Sequence, residues 1–263
     1  MEWPTLLQSF NEELPEIKII PPSSGKNPRQ TGESPRQVKN EQSPRILIIN
    51  NGEEHKSVIE QYLKKHAFSL ENEPASPPEP NRLVRNEADA VAHARTNLLN
   101  PLMRAIDIDT DLSGKVSTSS ELRLETLRVD VGVFHTSKVR EGIVMMVEFK
   151  RANLIDKELF EAAMWDKNEL DKDSKPLRDD PKRYLEKTSD ELKLVKQAKA
   201  YAKRANYLYV ALCDYESLIL LKFSNDLRVI DVTIVDKSET TFRKAPFGFL
   251  LTAIKHYKDV PSV

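Results

Sequence analysis

The chain has 263 residues, with 40 Lys and Arg against 41 Asp and Glu and a formal net charge of −1. That balance excludes a strongly basic or acidic chain, argues neither for nor against a nucleic-acid partner, and leaves the question to the local distribution of charge. The single cysteine, Cys213, excludes an internal disulfide, and no apolar run approaches the ~18 residues that span a bilayer.

Met1-Glu2-Trp3-Pro4 lacks a basic region followed by an apolar run, so no secretory leader is expected, and the expected location is intracellular, nuclear or cytoplasmic. Eleven of the 16 prolines fall in the first 80 residues. Residues 21–44 are rich in Pro, Ser, Gln, Asn and charge, too poor in apolar surface to offset their ordering entropy, and are expected to be disordered. A small island follows: a strand over Arg45–Ile49 and a helix over Glu53–Phe68. Pro74–Pro80 reads as a stiff linker. Residues 1–80 are therefore expected to be a partly disordered extension carrying the island at 45–68, and residues 81–263 the main domain.

Leu83, Ala90, Ala94, Leu98 and Leu102 recur near helical spacing and predict a helix over Arg82–Ile106, which Pro101 should kink or end. Asp107, Asp109 and Asp111 lie in a polar loop. A calcium loop is rejected there, because Thr118 stands where the bidentate Glu belongs. Strands are predicted near Ser120–Thr126, Leu127–His135 and Ile143–Lys150, the last two as an antiparallel hairpin. Residues 151–188 are a charged insert, helical around Lys157–Lys167, with a loop near Lys172–Pro181, and serve as a candidate gating or homodimer element. A strong helix over Ser189–Asn206 is capped by Ser189 or Thr188. Strands over Tyr207–Cys213, Leu218–Phe223 and Arg228–Val235 and a helix over Pro246–Tyr257 complete the chain. The order is helix, three strands, helix, two strands, strand, helix: an α/β fold around a mixed sheet.

Two of the strands carry chemistry. Asp130 sits in one, and Glu148-Phe149-Lys150 ends the other. Side chains alternate along a strand, so Glu148 and Lys150 share a face and Phe149 takes the opposite one. Two acids and a lysine on adjacent strands are the minimal equipment for holding a divalent cation and steadying an activated water. On the helix after them, Gln197 and Tyr201 are four apart and share a face. They lie at the border between an apolar arc (Leu194, Val195, Ala198, Ala202, Ala205) and a basic one (Lys193, Lys196, Lys199, Lys203, Arg204). A basic arc in that place is a candidate for phosphate contact.

This order of elements, with Asp130, Glu148 and Lys150 where they stand, resembles the PD-(D/E)XK nuclease superfamily over roughly residues 82–223. Gln197-Ala-Lys-Ala-Tyr201 is similar to the Q-x-x-x-Y helix of its RecB-like branch. One departure is Val129, where the pattern has proline. The resemblance implies a restriction-endonuclease-like α-β-β-β-α-β core and hydrolysis of nucleic acid, DNA first, with Mg²⁺ or Mn²⁺. It implies Asp130, Glu148 and the Phe149 carbonyl as metal ligands, Lys150 as the cation that orients water, and Gln197 and Tyr201 as supporting groups. It also implies a glutamate from the first core helix, for which Glu87 is favoured over Asp89 and His93. Two alternatives stay open: a catalytically silent member of the fold that binds nucleic acid or protein, and the nuclease part of a toxin or selfish element.

Overall fold

The computed structural model describes residues 4–19, 44, 46–75, 83–84, 87–138, 140–166, 189–239 and 241–259. The expectations made for residues 21–43, 76–80 and 167–188 lie outside that set.

In chain order the elements are α1 (Leu6–Ser9), β1 (Lys18–Ile19), β2 (Ile46–Ile49), α2 (Glu53–Lys65), α3 (Ala67–Asn72), β3 (Leu83–Val84), α4 (Glu87–Ala94) and a π-turn (Arg95–Leu99). These are followed by α5 (Asn100–Ile108), β4 (Val116–Leu124), β5 (Leu127–Thr136), β6 (Glu141–Phe149), α6 (Lys157–Ala162) and α7 (Asp190–Ala205). The chain then forms β7 (Tyr209–Cys213), β8 (Ser217–Phe223), β9 (Val229–Asp236) and α8 (Lys244–Asp259). Seven strands make one mixed sheet in the order β2-β9-β8-β7-β6-β5-β4, parallel at β2–β9 and β6–β7 and antiparallel elsewhere. The expected α-β-β-β-α-β order is present as α4–α5, β4, β5, β6, α7 and β7.

Alternation along the central strands builds a core on each face of the sheet. Met145, Val147 and Phe149 of β6 join Tyr209, Ala211 and Cys213 of β7 under Leu98, Leu102 and Phe247. Met146, Val210 and Leu212 face the other way, under Val195, Ala198 and Tyr201 of α7 and Phe160 of α6. Glu148 belongs to this second face by alternation, which is why α7 can reach it.

The helix that opens the core departs from its predicted form. It begins at Glu87, after the short strand β3, and is interrupted at Arg95–Leu99, where Asn100 N–H bonds to Arg95 O. Pro101 does not end it. It sits in the first turn of α5, directly after the π-turn, and Asn97 O, four residues back, accepts from Arg243 Nε at 2.7 Å instead. By contrast, α7 follows its sequence signals closely. Ser189 Oγ accepts from Leu192 N–H at 3.2 Å, Asp190 and Glu191 occupy the first turn, and the helix stops at Asn206 in a left-handed conformation (φ 50°).

Two other segments differ from expectation. β4 starts at Val116 rather than Ser120, because its exposed serines carry no apolar alternation and only pairing with β5 makes them a strand. The helix predicted through Lys167 ends at Ala162. The chain then turns extended, and Trp165 bridges to β2 through Trp165 N–H to Leu47 O (2.8 Å) and Ile49 N–H to Trp165 O (2.9 Å).

The strand of the N-terminal island is the outer strand β2 of the main sheet, parallel to β9. Helix α2 lies against α8, and Leu6 and Phe10 are fully buried in the core on that side.

Candidate active site

β5 and β6 pair through Val131↔Val147, so one step further along the hairpin Asp130 comes abreast of Glu148. Asp130 Oδ2 accepts the Phe149 N–H at 2.8 Å. Lys150 lies just past the end of β6, anchored by its N–H on Cys213 O at 2.8 Å, and its Nζ meets Glu148 Oε1 at 2.7 Å. From α7, Gln197 Nε2 donates to the same Glu148 Oε1 at 2.9 Å and also to the Tyr201 hydroxyl. Tyr201 donates onward to Arg128 O at 2.9 Å. The structure thus brings Asp130, Glu148, Lys150, Gln197 and Tyr201 into one connected group that joins two strands to a helix.

The electrostatics of the group are set by burial. Glu148 is only 6% exposed, and desolvation pushes its carboxyl up to about 7; the Lys150 ammonium opposes this and the Asp130 charge adds to it. Asp130 is also raised by burial, against the pull of the Phe149 N–H, Lys150, Arg128 and Arg95. The buried Glu148 and the half-buried Asp130 both feel the Lys150 ammonium, and Arg128 and Arg95 act on Asp130 as well. Glu148 Oε2 is buried and has no hydrogen-bond partner. An orphaned carboxylate oxygen beside a second acid fits a divalent cation.

Among the described residues no group of three or more His, Cys, Asp or Glu side chains is arranged to hold a metal. Two carboxylates, with the Phe149 carbonyl at the same end of the hairpin, suit Mg²⁺ or Mn²⁺. Mg²⁺ is held by one or two carboxylates and keeps several of its waters.

The other expected residues are placed as follows. Glu87 opens α4, and its side chain lies outside the described set. Asp89 is half-buried, and His93 is buried with its ring edge-on to Tyr215. The basic residues of α7 do not share one exposed face. Lys193 is exposed and paired with Asp190 at 2.6 Å, Lys203 is exposed, Lys196 is half-buried and Lys199 is buried. Arg204 reaches Glu125 at 3.4 Å.

Two residues near the group escaped the sequence analysis. Arg95 Nη2 donates to Asp130 O at 3.2 Å. Its only sequence signal is a place two helical turns after Glu87. Asp214 is buried and accepts from the N–H groups of Ile155 (2.8 Å), Glu216 (3.1 Å) and Ser217 (2.8 Å), tying the segment after Lys150 to the β7–β8 turn.

No helix among the described residues is long and apolar enough to cross a membrane. No family model matches the chain, and a search of curated proteins returns no match. Among solved structures the chain is similar to the type IIG restriction endonuclease BpuSI, with 14% identity and a TM-score of 0.35 over 62% of this chain. The alignment spans 16% of that enzyme's length, and a likeness this distant carries no argument about the site.

Proposed function

We propose that the chain is a metal-dependent nuclease that hydrolyses phosphodiester bonds of DNA. The observation that carries this reading is the buried Glu148 carboxylate, with one oxygen held by Lys150 and Gln197 and the other unpartnered beside Asp130. Asp130, Glu148 and the Phe149 carbonyl would hold Mg²⁺ or Mn²⁺. Such an ion lowers the pKa of bound water and stabilises charge on the scissile phosphate. Lys150 Nζ orients the attacking water, which displaces the 3'-oxygen in line. Gln197 and Tyr201 fix Glu148 from the helix side, so the carboxylate is in place before substrate arrives. Lys193, Lys196, Lys203 and Arg204 are the α7 cations with side chains exposed or half-exposed, and they are candidates for phosphate contact.

The test is cleavage of single- and double-stranded DNA with Mg²⁺ or Mn²⁺. Glu148→Ala and Lys150→Ala should each abolish cleavage, and intact cleavage in either would remove the assignment. A silent binding module is the second reading, favoured by the lack of a three-ligand cluster among the described residues. Titration of the full chain with Mn²⁺ separates the two, since a silent module of that kind binds none.

A further inference from the structure

Asp130 stands where β5 has lost its neighbours. The β4–β5 register runs from Val116↔His135 to Ser120↔Val131 and resumes at Leu122↔Val129. The skipped residue opposite Asp130 is Glu121, which has φ 54°, a left-handed backbone unusual inside a strand. On the other side the β5–β6 pairing begins only at Val131↔Val147. The register is the same on both sides of the gap, so the breaks insert no residue. They leave backbone groups in need of partners.

We propose that Arg95 is a positioning residue for the Asp130 carboxylate, its guanidinium holding the Asp130 main chain at this gap in the sheet. Arg95 Nη2 takes the Asp130 carbonyl at 3.2 Å, while the Phe149 N–H takes Asp130 Oδ2 at 2.8 Å. The residue is thereby pinned at both its carbonyl and its carboxylate. The π-turn lets the helix do this. One extra residue per turn shifts the helical phase by about 100°. Hence the π-turn can aim Arg95 at β5 while α5 turns Leu102, Ala105 and Ile106 into the core. Arg95 Nε is buried without a hydrogen-bond partner. A buried donor left unmade is unfavourable for stability, so this arginine is explained better by what it holds than by what it stabilises.

The inference rests on the metal-site reading above, and the test reads it through cation binding, without relying on cleavage. Wild-type, Asp130→Asn, Arg95→Ala and Arg95→Lys chains are titrated with Mn²⁺ by calorimetry, and the melting temperature of each metal-free chain is measured. The expected result is Mn²⁺ binding that Asp130→Asn abolishes and Arg95→Ala weakens by about 10-fold or more. Arg95→Lys, which keeps one donor for the carbonyl, should recover part of the affinity. The metal-free melting temperatures of the two Arg95 variants should stay close to each other.

Unchanged Mn²⁺ affinity in Arg95→Ala overturns the role of Arg95 and leaves the nuclease reading standing. If Arg95→Ala fails to fold, Arg95→Lys with wild-type affinity and wild-type melting overturns it equally. Mn²⁺ binding that follows the expected order in a chain that cleaves no DNA supports Arg95 and sinks the nuclease reading. Absence of Mn²⁺ binding in the wild type overturns both.

Discussion

A carboxylic acid that titrates near 7 is half protonated under ordinary conditions, and a cation must displace that proton before both oxygens of Glu148 can serve it. Mn²⁺ affinity should therefore rise with pH up to about 7 and level off above it; calorimetry at pH 6 and pH 8 that gives equal affinities would contradict this. The same shift affects folding without metal. The native state holds the Glu148 proton that the unfolded chain releases near 4.5, so its contribution to stability falls as pH rises from about 4.5 to about 7. Glu148→Gln should remove that slope. Tyr201→Phe deletes the donor to Arg128 O and a partner of Gln197, and should lower unfolding stability by about 1–2 kcal/mol in urea. At this scale Asp130, Glu148, Lys150, Gln197 and Tyr201 were legible. Strand alternation and i,i+4 spacing fix which side chains share a face. Arg95 was not, because it grips a main-chain carbonyl, and residue-type patterns carry no record of which carbonyl has lost its strand partner.

Elements with their own start and stop chemistry were legible to within a residue or two. The helix α7 is bounded by a serine cap and a left-handed asparagine, and both are visible in the sequence. The π-turn was not, since Arg95–Leu99 keeps ordinary helix-forming residues and only Pro101 hints at a break. Contacts between elements are equally silent. A Cβ at Gly248 of α8 would stand 2.3 Å from His55 O of α2. Gly248→Ala should therefore destabilise the chain by about 1–3 kcal/mol through forced separation of the two helices, measured by thermal or urea unfolding. His55 gives this interface a pH dependence. Thr252 Oγ1 spends its proton on Gly248 O (2.8 Å), so His55 Nδ1 must donate to it across 3.1 Å. Burial lowers the imidazole to about 4 from 6.5. A lowered histidine binds fewer protons when folded, so its contribution to stability is complete above about 6.5 and is lost as pH falls towards 4. The Glu148 slope runs the opposite way in part of that window. Comparison of wild type with His55→Gln at pH 7 and pH 4.5 isolates the histidine, and the stability gap between them should shrink at the lower pH.

At the scale of the whole molecule, one arginine ties the first residues to the core. Arg243, buried at the start of α8, donates to Ser9 O (2.7 Å), Glu12 O (2.9 Å) and Asn97 O (2.7 Å), and Tyr215 donates to Pro15 O (2.9 Å). These bonds run across more than 140 residues of sequence, and no local pattern announces them. That is why Leu6 and Phe10 could not be read as core from a Pro-rich N-terminal region. Arg243→Ala should lower stability by about 3 kcal/mol by leaving several buried carbonyls unpaired, read by urea unfolding. The α/β class and the α-β-β-β-α-β order were legible, because apolar periodicity switches clearly between strands and helices from residue 82 onward. The edge position of β2 was not, because four apolar residues specify a strand but not its neighbour.

The measurement that tests the central claim most directly is DNA cleavage by the full chain with Mg²⁺ or Mn²⁺, wild type against Glu148→Gln, with folding of both confirmed by thermal melting. The account predicts metal-dependent cleavage in the wild type and a loss of at least about 100-fold in Glu148→Gln. Cleavage that survives the substitution, or a folded wild type that cleaves no DNA with either metal, would contradict it.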